Sequence, residues 1–426
     1  MRRLFALGSA TAVAATSLLL LTPDDAHAAK PVSTPYVLRG YGYGLRVLGG
    51  SLPASSGDTA AVSSGCMNKA GVSRENHLAG ATLPDKLGSI GAVTSRTWTT
   101  KVGGTVNRYT RSKVADITLA RSGLGKLSIQ GLTVTAHVWH DAKGFHSEVV
   151  PDVARIAVTD PITGTHSAPL PTPGNPLKIP GLATLSMGAK STHRGPNWAG
   201  ANSDGLRLYV APSKTTLALA HAWAYMSEGV ESGIFGGSAA AIRASALGSL
   251  ASVGPQPLLL MPCKSPKGKT LTKAIAGLPL SNVGVPIKVG ALTSQMQGNQ
   301  SGRKAWGRAI SRVASVNIGN GALVVKGLVA RANVTRTGKG LTKLTRNASG
   351  TTVGSITANG TSYSLAQLDG KKIDIPGGAL SIQTKVVTNQ WQGIQVVGLR
   401  ITVLSASDVT KTVIDLGRAR LKIAKP

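Results

Sequence analysis

One stretch occurs twice in this chain, and its repetition limits the possible fold more than any other feature. The first copy reads Leu127-Ser128-Ile129-Gln130-Gly131-Leu132-Thr133-Val134-Thr135-Ala136-His137-Val138. The second reads Leu323-Val324-Val325-Lys326-Gly327-Leu328-Val329-Ala330-Arg331-Ala332-Asn333-Val334. In the first copy apolar residues fall at Leu127 and Ile129, then at Leu132, Val134, Ala136 and Val138. A spacing of two marks one face of a strand, and the phase slips by one residue at the glycine. The second copy slips in the same way at Gly327. A glycine at such a slip suits the positive φ that a β-bulge or sharp bend often needs, so Gly131 and Gly327 are read as bulge glycines.

The repeat extends well beyond one strand. Gly50-Ser51-Leu52 stands beside Gly248-Ser249-Leu250, Cys66 beside Cys263, and Leu177-Lys178-Ile179-Pro180-Gly181 beside Ile373-Asp374-Ile375-Pro376-Gly377. Trp198 precedes Gly205-Leu206-Arg207-Leu208 by the same interval that separates Trp391 from Gly398-Leu399-Arg400-Ile401. A closing strand at Leu217 to Met226 matches one at Asp415 to Ile423. A period of about 195 residues is a domain rather than a solenoid repeat, so the chain reads as a tandem duplication. The expected division is a signal peptide at 1–28, a linker at 29–39, unit 1 at 40–226, a linker at 227–240 and unit 2 at 241–426. Glycine is abundant (52 residues) and aromatics make up only 4%, which with frequent Thr, Val and Ser suits strands joined by tight turns. The expected fold is all-β: two homologous antiparallel β-sandwich-like domains.

The N-terminus reads as an export signal. Met1-Arg2-Arg3 is positive, residues 4–21 carry no charge, and Ala26-His27-Ala28 has the small-x-small form cut by signal peptidase, placing cleavage between Ala28 and Ala29. Arg2-Arg3-Leu4-Phe5 also has a faint twin-arginine character. No later segment reaches the ~18 apolar residues of a spanning helix. The expected location is therefore secreted or extracellular, with retention at the cell envelope by charge.

Charge is the strongest compositional signal. The formal net charge is +30, and residues 1–28 hold two basic and two acidic residues, so cleavage leaves it unchanged. Between Ser232 and Leu368 there is no Asp or Glu, while sixteen Lys or Arg are scattered through that span. Such a field attracts polyanions. Export, and the lack of a basic run interleaved with aromatics, argue against nucleic acid. Anionic cell-wall polymers or acidic glycans are the expected partners, with a merely solubilising charge as the plain alternative.

The Gly-Tyr-Gly-Leu-type opening at Tyr41 to Val47, the lone cysteine in each unit, the Gly-Leu-x-Val-x-Ala strands and the closing Ile-x-Leu-Gly-x-Ala at Ile414 to Ala419 resemble the choice-of-anchor P family of exported actinobacterial proteins. The resemblance covers nearly the whole chain after the signal. Members typically end in interchangeable surface anchors, and their biochemical role is unassigned. Here the sequence ends Leu421-Lys422-Ile423-Ala424-Lys425-Pro426, with no sorting motif or hydrophobic tail, so charge is expected to do the retaining.

Candidate site residues follow from the duplication. Cys66 and Cys263 occupy equivalent places, and in an oxidising compartment they are either one disulfide stapling the units or two separate buried thiols. Trp198 and Trp391, with Arg207 and Arg400 on what read as neighbouring strands, are candidates for contact with a sugar and its anionic group. The plain reading is core tryptophans with surface arginines nearby. His137, His140, His146, Asp141 and Glu148 invite a metal site, but residues three apart on a strand face opposite ways, so none is expected. No cofactor is implied: Gly-x-Ser-x-Gly, His-Glu-x-x-His and a phosphate-cradling glycine loop are all missing. The expectation is a non-enzymatic exported protein that binds anionic polymers. A secreted carbohydrate-active enzyme using acids such as Asp141 and Glu148, or a surface protein self-associating through strand edges, are the alternatives.

Overall fold

The computed structural model describes residues 30–48, 58–83, 88–121, 125–160, 162–172, 174–212, 214–229, 232–246, 252–280, 286–375, 378–390, 392–405 and 411–425. The signal segment with Ala28 and Ala29, and Trp391, lie outside the described residues. The architecture is all-β, with one four-residue helix, Leu365–Leu368, among the described residues. The longer strands are labelled β1 (Val32–Leu48), β2 (Val62–Ala70), β3 (Val93–Val102), β4 (Thr105–Arg121), β5 (Gly125–Asp141), β6 (Trp198–Val210) and β7 (Thr215–Ser227) in the first half. In the second half they are β8 (Ile234–Ala246), β9 (Leu292–Ser301), β10 (Lys304–Ile318), β11 (Leu323–Thr337), β12 (Gly378–Gln390), β13 (Gly393–Ser405) and β14 (Lys411–Ala424).

The described strands form four antiparallel sheets, two per half. The run β6-β7-β1-β2 belongs to a seven-stranded sheet, facing a nine-stranded sheet that contains β3-β4-β5. In the second half β12-β13-β14-β8 belongs to a seven-stranded sheet, and β9-β10-β11 to a nine-stranded one. In each half the last strand pairs with the first, β7 with β1 and β14 with β8, so each half closes its own sheet. Residues 32–39 and 234–240 are not linkers, as the sequence suggested, but the leading stretches of strands β1 and β8 in their sheets. Val37, Leu38, Phe235 and Ala239 there are fully buried, and burying such side chains contributes roughly 1.5–3 kcal/mol for the larger ones.

Between the two sheets of unit 1, Ile117, Leu119, Leu127, Ile129 and Leu132 pack with Leu206, Leu208, Leu217 and Leu219 in one core. Unit 2 repeats this with Val316, Ile318, Leu323, Val325 and Leu328 against Leu399, Ile401, Ile414 and Leu416.

Gly131 and Gly327 take positive φ (64° and 67°), but they are not bulges. On β4 and β5, Val114 faces Leu132 and Asp116 faces Gln130, so the register is the same on both sides of Gly131 and no extra residue is inserted. β4 changes its buried face at the same level: Val114 and Ile117 are both inside, three residues apart. Backbone hydrogen bonds Gly91 N to Asp116 O (2.8 Å) and Ala115 N to Ala92 O (2.8 Å) carry the break across to the adjoining strands. A crease therefore crosses the sheet, and every strand shifts phase on it together. The second nine-stranded sheet has the same crease at Gly290, Ser315 and Gly327. Matching creases cross the seven-stranded sheets where Ala220 (φ 53°) and Gly417 (φ 64°) leave the regular backbone region. These positions align the two halves: Ala220 of β7 corresponds to Gly417 of β14.

The cores differ around Arg108. In unit 1 the guanidinium of Arg108 on β4 is fully buried and donates from Nη2 to the hydroxyls of Ser64 and Thr97, while Nε and Nη1 have no hydrogen-bond partner. Gly40 makes room for it, since a Cβ there would meet Nη2 at 2.3 Å. The matching position on β10 is Gly307, and Phe235 fills the space, with its ring 3.2 Å from where a Cβ of Gly307 would lie.

Candidate anion-binding cleft between the units

The one β-bulge that matters to the site lies on β2. Leu38 faces Met67 and Gly40 faces Ser64, so Gly65 and Cys66 together oppose the single residue Arg39. The extra residue turns Cys66 to the outer face of its sheet, beside Val37. There it is disulfide-bonded to Cys263, with Cα atoms 5.3 Å apart across 197 residues of sequence. Backbone bonds Phe235 N to Cys263 O and Met261 N to Gly237 O, both 3.0 Å, tie the Cys263 segment to β8. Val37, Cys66, Ile234 and Cys263 form a small apolar cluster joining the units.

Beside this cluster opens a cleft of about 850 Å³ lined by residues of both halves. Its walls carry Arg39, Lys69 and Arg74 from unit 1 and Arg420, Lys422 and Lys425 from unit 2, with no Asp or Glu among the lining residues. Neutral groups hold several of these cations in place. Arg39 Nη1 donates to Met261 O (3.5 Å), Arg74 Nη1 to Ser63 O (3.2 Å), Lys69 Nζ to Ser33 Oγ (2.5 Å) and Arg420 Nε to Gln390 Oε1 (2.8 Å). Lys422 reaches in over two glycines: a Cβ on Gly236 would lie 2.7 Å from its Cε, and one on Gly65 would lie 3.7 Å from its Nζ. Burial first, then the charges of Arg420 and Arg74, push the Lys422 ammonium below its ordinary range. Burial and then Arg74 act the same way on Arg420, and burial pushes Arg39 down to about 10. Cations from the two halves thus repel one another in a partly dry space, which an anion placed among them would relieve.

An aromatic stripe leads away from the cleft on the outer face of unit 1. The Arg39 guanidinium lies 5.1 Å over the Trp223 ring. Trp223 is followed along β7 by Tyr225 (centroids 6.2 Å apart), and Tyr225 is stacked with Trp198 at 6.3 Å. With Ala220 aligned to Gly417, the residues of β14 at the places of His221, Trp223 and Tyr225 are Arg418, Arg420 and Lys422. The same strand face is aromatic in one unit and cationic in the other.

The sequence-derived candidates fall differently. Trp198 is half-buried and begins β6, and Arg207 stands not on a neighbouring strand but nine residues along the same one, roughly 30 Å away at the usual rise. They do not converge. Arg207 is engaged by Asp204 (Nη2 to Oδ2, 3.0 Å) and Arg400 by Asp415 (Nε to Oδ1, 2.7 Å), so each guanidinium already has a carboxylate partner. Burial raises Asp204, but the hydrogen bond and charge of His221, and then Arg207, outweigh it and hold that carboxyl below its ordinary value.

The histidines separate as strand alternation requires. His137 pairs with Glu148 and Asn107 (each 3.0 Å) and His146 with Asp141 (3.0 Å), whereas His140 bonds to Tyr36 OH (2.8 Å). Among the described residues no three His, Cys, Asp or Glu are grouped to hold a metal. Sequence reasoning missed a stack on the outer face of the nine-stranded sheet: Trp98, Tyr109, His137, Trp139 and His146 follow one another at 4.8, 4.0, 4.4 and 4.9 Å. Only the register, which sets Trp98 opposite Tyr109 and Tyr109 opposite His137, brings them together. The cleft was missed for the same reason, since its cations lie far apart in sequence.

No protein-family model matches this chain, and no curated protein matches it. The likeness to choice-of-anchor P proteins therefore rests on the quoted motifs.

Proposed function

We propose that this is an exported, non-enzymatic protein of the cell envelope or extracellular space that holds anionic polymers in the cleft between its two units. The observation that carries this reading is six cationic side chains lining one cleft without a carboxylate. Like charges gathered in a partly dry space destabilise the free protein, and an anionic ligand turns that repulsion into binding energy. The disulfide beside the cleft fits an oxidising compartment and keeps the two sets of cations facing each other. Asp141 and Glu148, the acids an enzyme reading would use, are each hydrogen-bonded to a histidine.

The test is binding of inorganic polyphosphate to the disulfide-bonded protein over a salt series. Affinity falls steeply with salt, and the double variant Arg420→Gln, Lys422→Gln weakens binding and lowers the salt slope by about 1 for each charge removed. A double variant that binds with unchanged affinity and slope refutes the cleft as the site.

A further inference from the structure

On the unit 1 side the cleft borders the aromatic stripe, because Arg39 lies in its wall and also over the ring of Trp223. From Trp223 the stripe continues through Tyr225 to Trp198, all three half-buried, so part of each ring is open to solvent. A purely electrostatic site has no use for such a path, since bare polyphosphate offers nothing to lie against an aromatic ring. A chain of sugar rings carrying anionic groups fits both parts, with acids among the cations and ring faces along the aromatics. We infer that the ligand is an anionic glycan: its charged groups enter the cleft and its next sugars pack along Trp223, Tyr225 and Trp198. This rests on the polyanion reading above and narrows it to one ligand class. Single-stranded nucleic acid also combines charge with stacking. The inter-unit disulfide favours the glycan, because it suits the compartment outside the cell, where acidic sugars are exposed and nucleic acid is not the resident polymer.

Unit 2 supplies an internal contrast. Where unit 1 has Trp223 and Tyr225, β14 carries Arg420 and Lys422, both in the cleft. The same two places in the repeat thus furnish the sugar-facing half of the site from one unit and the charge-facing half from the other.

The experiment compares two probes, polygalacturonate and inorganic polyphosphate, on wild type, Trp223→Ala and Trp223→Phe, with thermal unfolding run in parallel as a check on folding. Trp223→Ala is expected to weaken polygalacturonate binding about tenfold and polyphosphate binding, through the Arg39 that rests on that ring, by much less. Trp223→Phe, which keeps a ring, restores most of the loss. Should the alanine variant fold poorly, tryptophan fluorescence of the wild type decides: it changes on adding polygalacturonate and not on adding polyphosphate. Equal effects on both probes, or no effect on either, overturn the glycan assignment while leaving the polyanion reading standing. Binding of neither probe overturns the polyanion reading itself. Tighter, Trp223-dependent binding of oligothymidylate than of polygalacturonate reassigns the stripe to nucleic acid and also overturns the inference.

Discussion

Arg108 holds a positive charge inside the core of unit 1 with hydroxyl groups for partners and two of its nitrogens unpaired. Burial, and then Arg74, push it down to about 9, so it remains charged at neutral pH. Removing an uncompensated buried charge is among the few core changes expected to stabilise. Arg108→Met should raise unfolding free energy by about 1–3 kcal/mol, read from the denaturant midpoint. Because the folded value lies below the unfolded one, unfolding takes up a proton above about pH 9, so wild-type stability gains with rising pH there. The Met variant should lack that gain. A loss of stability in Arg108→Met would mean that the hydroxyl bonds outweigh the burial of the charge. No sequence pattern pointed to this residue: an arginine at an alternating strand position reads as a solvated one until the facing strand is known.

Creases explain why the repeated glycines were legible and their role was not. The slip in apolar spacing at Gly131 and Gly327 is visible in a single strand, and a bulge is the commonest cause of it. Only the pairing shows that the neighbouring strands slip at the same level, leaving the register intact. Both glycines need positive φ, and their surroundings differ. A Cβ at Gly131 would come within 2.7 Å of the Ala154 Cβ, whereas at Gly327 the nearest atom is the Gly354 nitrogen at 3.4 Å. Gly131→Ala should therefore cost about 1–3 kcal/mol more than Gly327→Ala, because overpacking adds to a shared backbone strain. Equal losses in thermal or chemical unfolding would contradict this reading of the crease. The all-β class follows from the duplicated periodic segments, whereas the pairing of the closing strand with the opening one in each half came only from the structure. The strand ends did not, since glycine and serine around residues 229–238 look like linker while Phe235 and its neighbours are core.

At the scale of the whole molecule, the units are joined by the Cys66–Cys263 bond beside the cleft that both of them line. Equivalent positions in the repeat made the pairing conceivable; the bulge at Gly65 and Cys66 is what turns the first thiol outward to meet the second. Replacing both cysteines by serine should remove up to about 4–5 kcal/mol on the chain-entropy model, split thermal unfolding into separate transitions, and weaken polyphosphate binding. Unchanged calorimetry would show that packing alone holds the units together. The site itself was not legible in the sequence beyond its sign. Net charge raised the expectation of a polyanion partner, but which cations stand together depends on how two sheets from different halves face each other. The most direct measurement is lysine acetylation followed by mass spectrometry, with and without polyphosphate. Binding in the cleft predicts that Lys422 and Lys69 are protected while the exposed Lys126 and Lys326 react as before. Uniform protection of all four, or none at Lys422, would contradict a polymer seated between the units.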